Sequence, residues 1–266
     1  MKVYIVNARQ RISALALLLL TLATFVGAPA RAADSGDTLR YSITPYLWAT
    51  RMKGDVKAGR LPETSMDMKF SDILDVLDFG FMTAVEIRKG RLGFLFDGMY
   101  MNVSDSAEAR SADGAVSVSA EAEVKQTMLA FAAAWRVLEE RLSVDAVGGI
   151  RYNKIDVDVD IDARLFGGPS GSVGRSGDKD WVDPYLGLRL IVPVAGGLSL
   201  VGYIDAGGFG VGSDFTWQGL AGLEYALSES FIASFGYRYL KVDYDKDGFS
   251  YDMANDGLYA GMTMAF

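Results

Sequence analysis

The stretch GLYAGMTMAF, Gly257 to Phe266, decides the fold, because Leu258, Ala260, Met262, Met264 and Phe266 recur at every second position. In an extended chain such positions share one face, so this is an amphipathic strand that ends on an aromatic carboxyl terminus. A bilayer-spanning β-barrel needs strands of this kind, with one apolar face for lipid and one polar face for the lumen. The same alternation recurs upstream, and the period-two segments are Leu39 to Thr50, Phe79 to Lys89, Leu92 to Ser104, Val118 to Val137, Leu142 to Ile161, Val182 to Val194, Leu198 to Val211, Phe215 to Leu227, Phe231 to Val242 and Gly257 to Phe266. The sequence therefore predicts an all-β, antiparallel up-and-down transmembrane β-barrel of about ten strands, with eight and twelve as alternatives.

The connections support this count. Lys89-Gly90-Arg91, Glu139-Glu140, Ala195-Gly196-Gly197 and Ser228-Glu229-Ser230 are short, while the connections between them read as mostly long. Short turns belong to the periplasmic end of such a barrel and long loops to the outer end. An even strand count places both termini at the periplasmic end. The stretch Arg51 to Asp78 reads as a long first loop, with a strand extension near Met66 to Phe70 and a short helix near Ser71 to Leu77 that caps the barrel mouth or dips inside. Aromatic residues cluster near strand ends, with Tyr100, Tyr152, Trp217 and Tyr239 as an outer girdle and Trp135, Tyr225, Phe231 and Phe266 as a periplasmic one. A soluble barrel would show the same alternation turned inside out. The aromatic placement, the terminal Phe266 and the uneven connections favour the membrane barrel.

At the other end, Lys2, Arg9 and Arg11 precede an apolar run of 15 residues from Ile12 to Val26, followed by Ala30-Arg31-Ala32. That order reads as a secretory signal peptide over residues 1–32, cleaved near Ala32/Ala33, with the barrel domain occupying 33–266. A spanning helix needs about 20 apolar residues, so the run is short for one, and the chain contains no comparable second run. Removing the four basic residues of the signal takes the net charge from -8 to -12. So acidic a chain lacks the basic patch that nucleic acid demands. The partners expected instead are outer-membrane lipids and the outer-membrane assembly machinery, in a Gram-negative cell envelope after Sec-type export.

The strand GLYAGMTMAF and the hairpin LAGLEYALSESFIASFGYRYLKVDY, Leu220 to Tyr244, resemble those of small bacterial outer-membrane β-barrel proteins, the broad group that includes OmpA-like and OmpW-like barrels. The resemblance runs from Leu39 to Phe266. It implies that Leu258, Ala260, Met262, Met264 and Phe266 serve as the signal read by the assembly machinery. No binding or catalytic residue comes with it.

The face opposite the apolar one carries Arg40, Glu86, Arg88, Asp97, Arg136, Asp145, Arg151, Asp183, Arg189, Asp205, Glu224 and Arg238, six basic and six acidic. Charges facing hydrocarbon are costly, so these should point into the lumen and pair there. About ten strands enclose a narrow space that such side chains can largely fill. The expectation is a charge-paired, largely filled lumen, with a structural or interaction role exercised through the outer loops. The alternative is a narrow, porin-like channel for ions or small solutes, with Gly149, Gly187, Gly207 and Gly222 leaving a gap between the long side chains. An enzyme is not expected, because the chain has no histidine and no cysteine.

Two acidic motifs and two loops remain. IDVDVDID puts Asp156, Asp158, Asp160 and Asp162 on one strand face, as a solvated hairpin extension would, so this strand should leave the bilayer near Lys154. DYDKDG, with Asp243, Asp245 and Asp247, matches the first half of a calcium loop in the last outer loop. The match fails at its twelfth position, Ala254, where a bidentate Glu is needed, so no cofactor is expected beyond a weak Ca2+ site. The stretches Arg110 to Gly114 and FGGPSGSVGRSGDKDW, 166–181, read as flexible, Gly-rich outer loops for a ligand that their composition does not name.

Overall fold

The computed structural model describes residues 38–58, 64–111, 116–165 and 170–266. The expected signal segment and its cleavage point lie outside them, as do 112–114 and 166–169 of the two expected loops. The strands are β1 (Leu39–Ala58), β2 (Thr64–Met68), β3 (Leu77–Lys89), β4 (Leu92–Arg110), β5 (Val116–Glu139), β6 (Ser143–Leu165), β7 (Ser170–Ala195), β8 (Leu198–Gly207), β9 (Phe215–Ala226), β10 (Phe231–Lys246) and β11 (Phe249–Ala265), with one helix, α1 (Phe70–Val76), between β2 and β3.

Each strand from β3 to β11 pairs antiparallel with its neighbour in sequence, and β1 pairs with both β3 and β11. The sheet is thereby closed into a ring. Phe266 N–H donates to Tyr41 O at 2.8 Å and Tyr41 N–H to Phe266 O at 3.2 Å, extending the closure to the last residue. The ring has ten staves because the second is broken: β1 pairs with β3 over Leu39–Pro45 and with β2 over Met52–Val56. Helix α1 joins the two halves and packs against β1 and β4. Its first turn is capped by Asp72, whose carboxylate accepts the Lys69 N–H at 3.0 Å, and Ile73 is its buried residue.

The outer loops differ from expectation. The upper connections, at the end away from the termini, span at most seven residues, from Gly208 to Asp214, because the strands continue upward where loops were expected. Residues 170–181 of the expected Gly-rich loop are the start of β7. The DYDKDG stretch is a strand end and a two-residue hairpin turn, Asp247-Gly248, with φ of 55° and 77°. Asp-Gly with two left-handed residues is the pairing that matches strand twist in a tight hairpin. The expected long loop there hid a register that runs without a break from Phe231↔Met264 to Lys246↔Phe249.

These tall strands carry two chemistries. In the lower half, outward positions such as Phe94, Phe131, Trp135, Ile150, Leu186, Phe235 and Leu258 are exposed and apolar, and inward positions carry the charges. Above a common level the outward face becomes charged: Arg51 pairs with Asp67 at 2.7 Å, Lys154 with Asp156 at 2.7 Å and Lys125 with Glu123 at 3.0 Å. The inward face turns apolar there, with Trp48, Met99, Met128, Ile155, Trp181, Leu240, Val242, Tyr244, Tyr251 and Met253 forming one buried cluster. Strand β6 keeps its facing across this level. Ile155 and Val157 stay inward as Arg151 and Asn153 do below them, and Asp156 and Asp158 stay outward.

Below the level, then, the molecule is built as a barrel in lipid, and above it as a barrel in water. The core cluster should accordingly carry more stability than the apolar belt. Met253→Ala, at a residue with 0% exposure, should cost about 2–5 kcal/mol through its cavity, and Leu186→Ala on the outer belt clearly less. Urea unfolding of the detergent-solubilised barrel, followed by heat-modifiable gel migration, checks the order.

Candidate functional site

The twelve charged residues expected in the lumen all occupy inward positions, but they do not form one network. The lowest group is built on a cross-strand row, Arg136↔Asp145↔Arg189 on β5, β6 and β7. Asp145 accepts from Arg136 Nε at 2.6 Å and Arg189 Nη2 at 2.6 Å, and from Arg88 Nη2 at 2.9 Å. Glu86 on β3 accepts from Arg189 Nη1 and Arg88 Nε, each at 2.7 Å. Arg136 Nη1 also reaches Glu139 at 3.1 Å. Gly93 permits this arrangement, since a Cβ there would stand 2.9 Å from Arg88 Nη2. Arg88 and Arg189 thus bridge the two carboxylates and Arg136 adds a third guanidinium on Asp145, a planar, multiply bonded pairing for which Arg is suited and Lys is not.

A second belt lies higher. Arg238 on β10 donates to Asp97 Oδ2 at 2.9 Å, to Gln218 Oε1 at 2.7 Å and to the Tyr46 hydroxyl at 2.9 Å. Its guanidinium also lies 4.8 Å from the Trp48 ring centroid, so it ties the polar belt to the apolar cluster above. Beside it, Arg151 donates to Asp205 Oδ2 at 2.8 Å and covers the Tyr185 ring at 4.9 Å. Arg151 Nε and Asp205 Oδ1 are buried without a hydrogen-bond partner, a cost the protein tolerates in this belt.

Asp183 departs from the expected charge pairing. It is fully buried and meets no cation among the described residues; Ser213 donates through its N–H at 2.5 Å and its hydroxyl at 2.8 Å, Trp181 Nε1 at 3.1 Å and Asn153 Nδ2 at 3.3 Å. Four neutral donors satisfy its charge, and two of them fasten the β8–β9 connection to the barrel. Gly212 lets that connection approach, since a Cβ there would lie 2.5 Å from Asp183 Oδ1. Asp183→Ala should release the segment Gly208–Asp214, read as faster proteolytic nicking of the folded barrel there.

Among the described residues, Glu224 meets no cation within ion-pair distance, although it faces the lumen beside Ser199 and Ser234 in register. Arg40 also faces the lumen, in register with Arg88. The glycines expected to leave a gap leave none. A Cβ on Gly149 would meet Ala132, on Gly187 the Cβ of Asp205, on Gly207 that of Tyr185, and on Gly222 the Tyr259 hydroxyl. Each glycine admits a neighbour, as close backbone approach demands.

The calcium spacing has no matching geometry. Asp243 and Asp245 lie exposed on the outer strand face, Asp247 sits in the turn and pairs with Lys179 at 2.9 Å, and among the described residues no three acidic side chains converge as metal ligands would. The Lys179 ammonium holds the Asp247 carboxyl below its usual range. Leu258, Ala260, Met262, Met264 and Phe266 form the outward face of the closing strand. Sequence reading missed Tyr46, Tyr185, Tyr203 and Gln218, although all occupy inward parity positions on charged strands; Ser213 lies in a connection, where parity is silent.

Comparison with solved structures gives the outer-membrane protease OmpT of Escherichia coli, with a TM-score of 0.57 at 11% identity over 88% of this chain and 99% of that one. The translocator domain of the autotransporter NalP of Neisseria meningitidis scores 0.39 at 13% identity over 87% and 89%. The attachment invasion locus protein Ail of Yersinia pestis, solved with the heparin analogue sucrose octasulfate, scores 0.36 at 11% identity over 86% and 99%. No protein-family model matches the chain, and no curated protein sequence matches it. At these identities the likeness is one of fold.

The shared carboxylate is the weak point of the lower group. Asp145→Ala should cost about 3–5 kcal/mol, because three guanidinium groups lose a buried partner, whereas Arg136→Ala should cost less; urea midpoints of the two variants test the order. With its ring closed by β1 and β11, the chain is an antiparallel up-and-down β-barrel with the fold of bacterial outer-membrane barrels.

Proposed function

We propose that this protein is a closed outer-membrane barrel whose lumen is a structural core and whose work is done by the part of the wall that stands above the bilayer. The observation that carries the reading is the stack of an apolar cluster on a charge-paired belt. Trp48, Met128, Trp181, Tyr251 and Met253 fill the upper lumen, and Arg238 joins them to the belt beneath. A through-path would need both layers to part.

The location follows from the apolar outer belt and its aromatic rims. Leu258 to Phe266 is nine residues long, and a tilted strand needs about 9–11 to cross a bilayer. Trp217 and Tyr239 stack at 4.6 Å on the upper rim, while Trp135, Tyr225, Phe231 and Phe266 stand exposed at the lower one. Such rings sit at headgroup depth. Export by a signal peptide over 1–32 and reading of Phe266 by the assembly machinery complete the proposal. The chain lacks histidine, the commonest general base, and cysteine, the thiol nucleophile, which favours an activity of contact.

Above the belt the outer wall is acidic. Glu121, Glu123, Asp156, Asp158 and Asp178 face water on adjoining strands, with Glu123↔Asp158, Glu121↔Asp160 and Asp156↔Asp178 directly opposed. Single-channel recording in planar bilayers tests the closed-barrel reading. The folded protein should be silent, and a Trp48→Ala, Trp181→Ala, Met253→Ala triple variant that still shows heat-modifiable migration should pass current. Steady openings of the unaltered protein would make it a channel instead.

A further inference from the structure

The lower lumen contains a cavity of about 600 Å3 beneath the Arg238 belt, reaching the rim at the termini end past Gly90, Ser143 and Pro193. That volume is ample for a small solute. Five of its six arginines are engaged on carboxylates, Arg88, Arg136 and Arg189 on Glu86 and Asp145, Arg238 on Asp97 and Arg151 on Asp205, and Arg40 is the sixth on its wall. Among the described residues that line it, Glu224 is the carboxylate that no cation meets.

The surroundings of Glu224 suit an ammonium group. Ser199 and Ser234 flank it in register, and Ser234 also lines the cavity. The Tyr259 ring crosses Gly236 to bring its hydroxyl over Gly222, the next inward position above Glu224. Tyr203 also lines the cavity, from the neighbouring strand. Cations already lie against the rings of Tyr46 and Tyr185, from Arg238 and Arg151, whereas none covers Tyr203 or Tyr259 among the described residues. Aromatic faces attract organic cations, all the more where water is sparse.

We propose that the lower lumen is a binding site for a small organic ammonium ion, with Glu224 as its counter-ion and Tyr259 and Tyr203 as its walls. The site opens at the end that carries the termini, so it draws on the periplasmic side and needs no path through the barrel. A metal ion is a poorer fit, since one carboxylate supplies too few ligands. An anion would have to compete with Glu86, Asp145, Asp97 and Asp205 for the guanidinium groups of five of these arginines.

The test is isothermal titration of the full barrel, extracted in maltoside detergent, with choline and tetramethylammonium, and with 3,3-dimethylbutanol as choline's neutral isostere. Saturable binding of both cations, absent for the alcohol, is the expected result. Glu224→Gln should weaken it about tenfold or more, and Tyr203→Leu should weaken it without abolishing it. Ser234→Lys places a tethered ammonium opposite Glu224 and should abolish choline binding, a second readout if the Gln variant misfolds. Heat-modifiable migration verifies each fold. No saturable heat with either cation, equal binding of the alcohol, or unchanged affinity in both the folded Gln and Lys variants would overturn the proposal.

Discussion

Everything in this molecule depends on closing the sheet. Inside a bilayer no water is present to satisfy a free strand edge, so the row of N–H and C=O groups on β1 must find the row on β11. The pairing runs from Ser42↔Ala265 to Ala58↔Phe249, nearly the full height of both strands. Once the ring is shut, period-two alternation leaves each side chain only two destinations, lipid or water outside and lumen inside. The partition of charged and apolar residues follows from that choice. At the break in the second stave, β2 takes over the edge of β1 that β3 leaves.

The second constraint is a change of solvent along the same strands. Where the exterior meets lipid it must be apolar, and the interior is free to hold ionised groups provided they pair. Where the exterior meets water it takes the charges, and the ring then needs a conventional core. β6 shows both regimes in one strand: Arg151 and Asn153 inward below, Ile155 and Val157 inward above, with Ile150 and Tyr152 outward below and Asp156 and Asp158 outward above. Arg238 sits where the regimes meet. Its guanidinium is paired on one side by Asp97 and Gln218 and faces the Trp48 ring on the other, so a charge borders an apolar cluster without being stranded.

How much of this was legible can be argued strand by strand. The period in Gly257 to Phe266, and the twelve inward charges, followed from alternation alone, because that period is a property of the extended chain. The upper core was not legible, since alternation reads the same whichever face looks inward; only the absolute facing, inherited from Arg151 below, assigns Ile155 to the core and Asp156 to water. The upper strand ends were missed because Gly, Ser and Asp read as turn formers. In Ser170–Lys179 and Asp243–Lys246 they are held in the ladder by register with neighbouring strands, a non-local effect that no window of sequence contains. Asp183 looked like an ion-pair partner by type, yet its donors include a loop serine thirty residues away.

The filling of the lumen follows from side-chain volume. At the upper level the inward positions carry Trp, Met, Tyr, Leu and Ile, and ten staves bring them together into one buried cluster. At the lower level Ser42, Thr44, Ala130, Ala132, Ala134, Ser234 and Gly236 are small, and the arginines that should fill the gap are drawn sideways to shared carboxylates along the wall. Pairing therefore shapes the cavity as much as size does. By gathering Arg88, Arg136 and Arg189 around Asp145 and Glu86 on the β3–β7 side, it leaves the β8–β11 side to tyrosines, serines and Glu224. A lumen with six charges of each sign can thus be almost neutral overall and still present one face on which Glu224 has no ion-pair partner among the described residues.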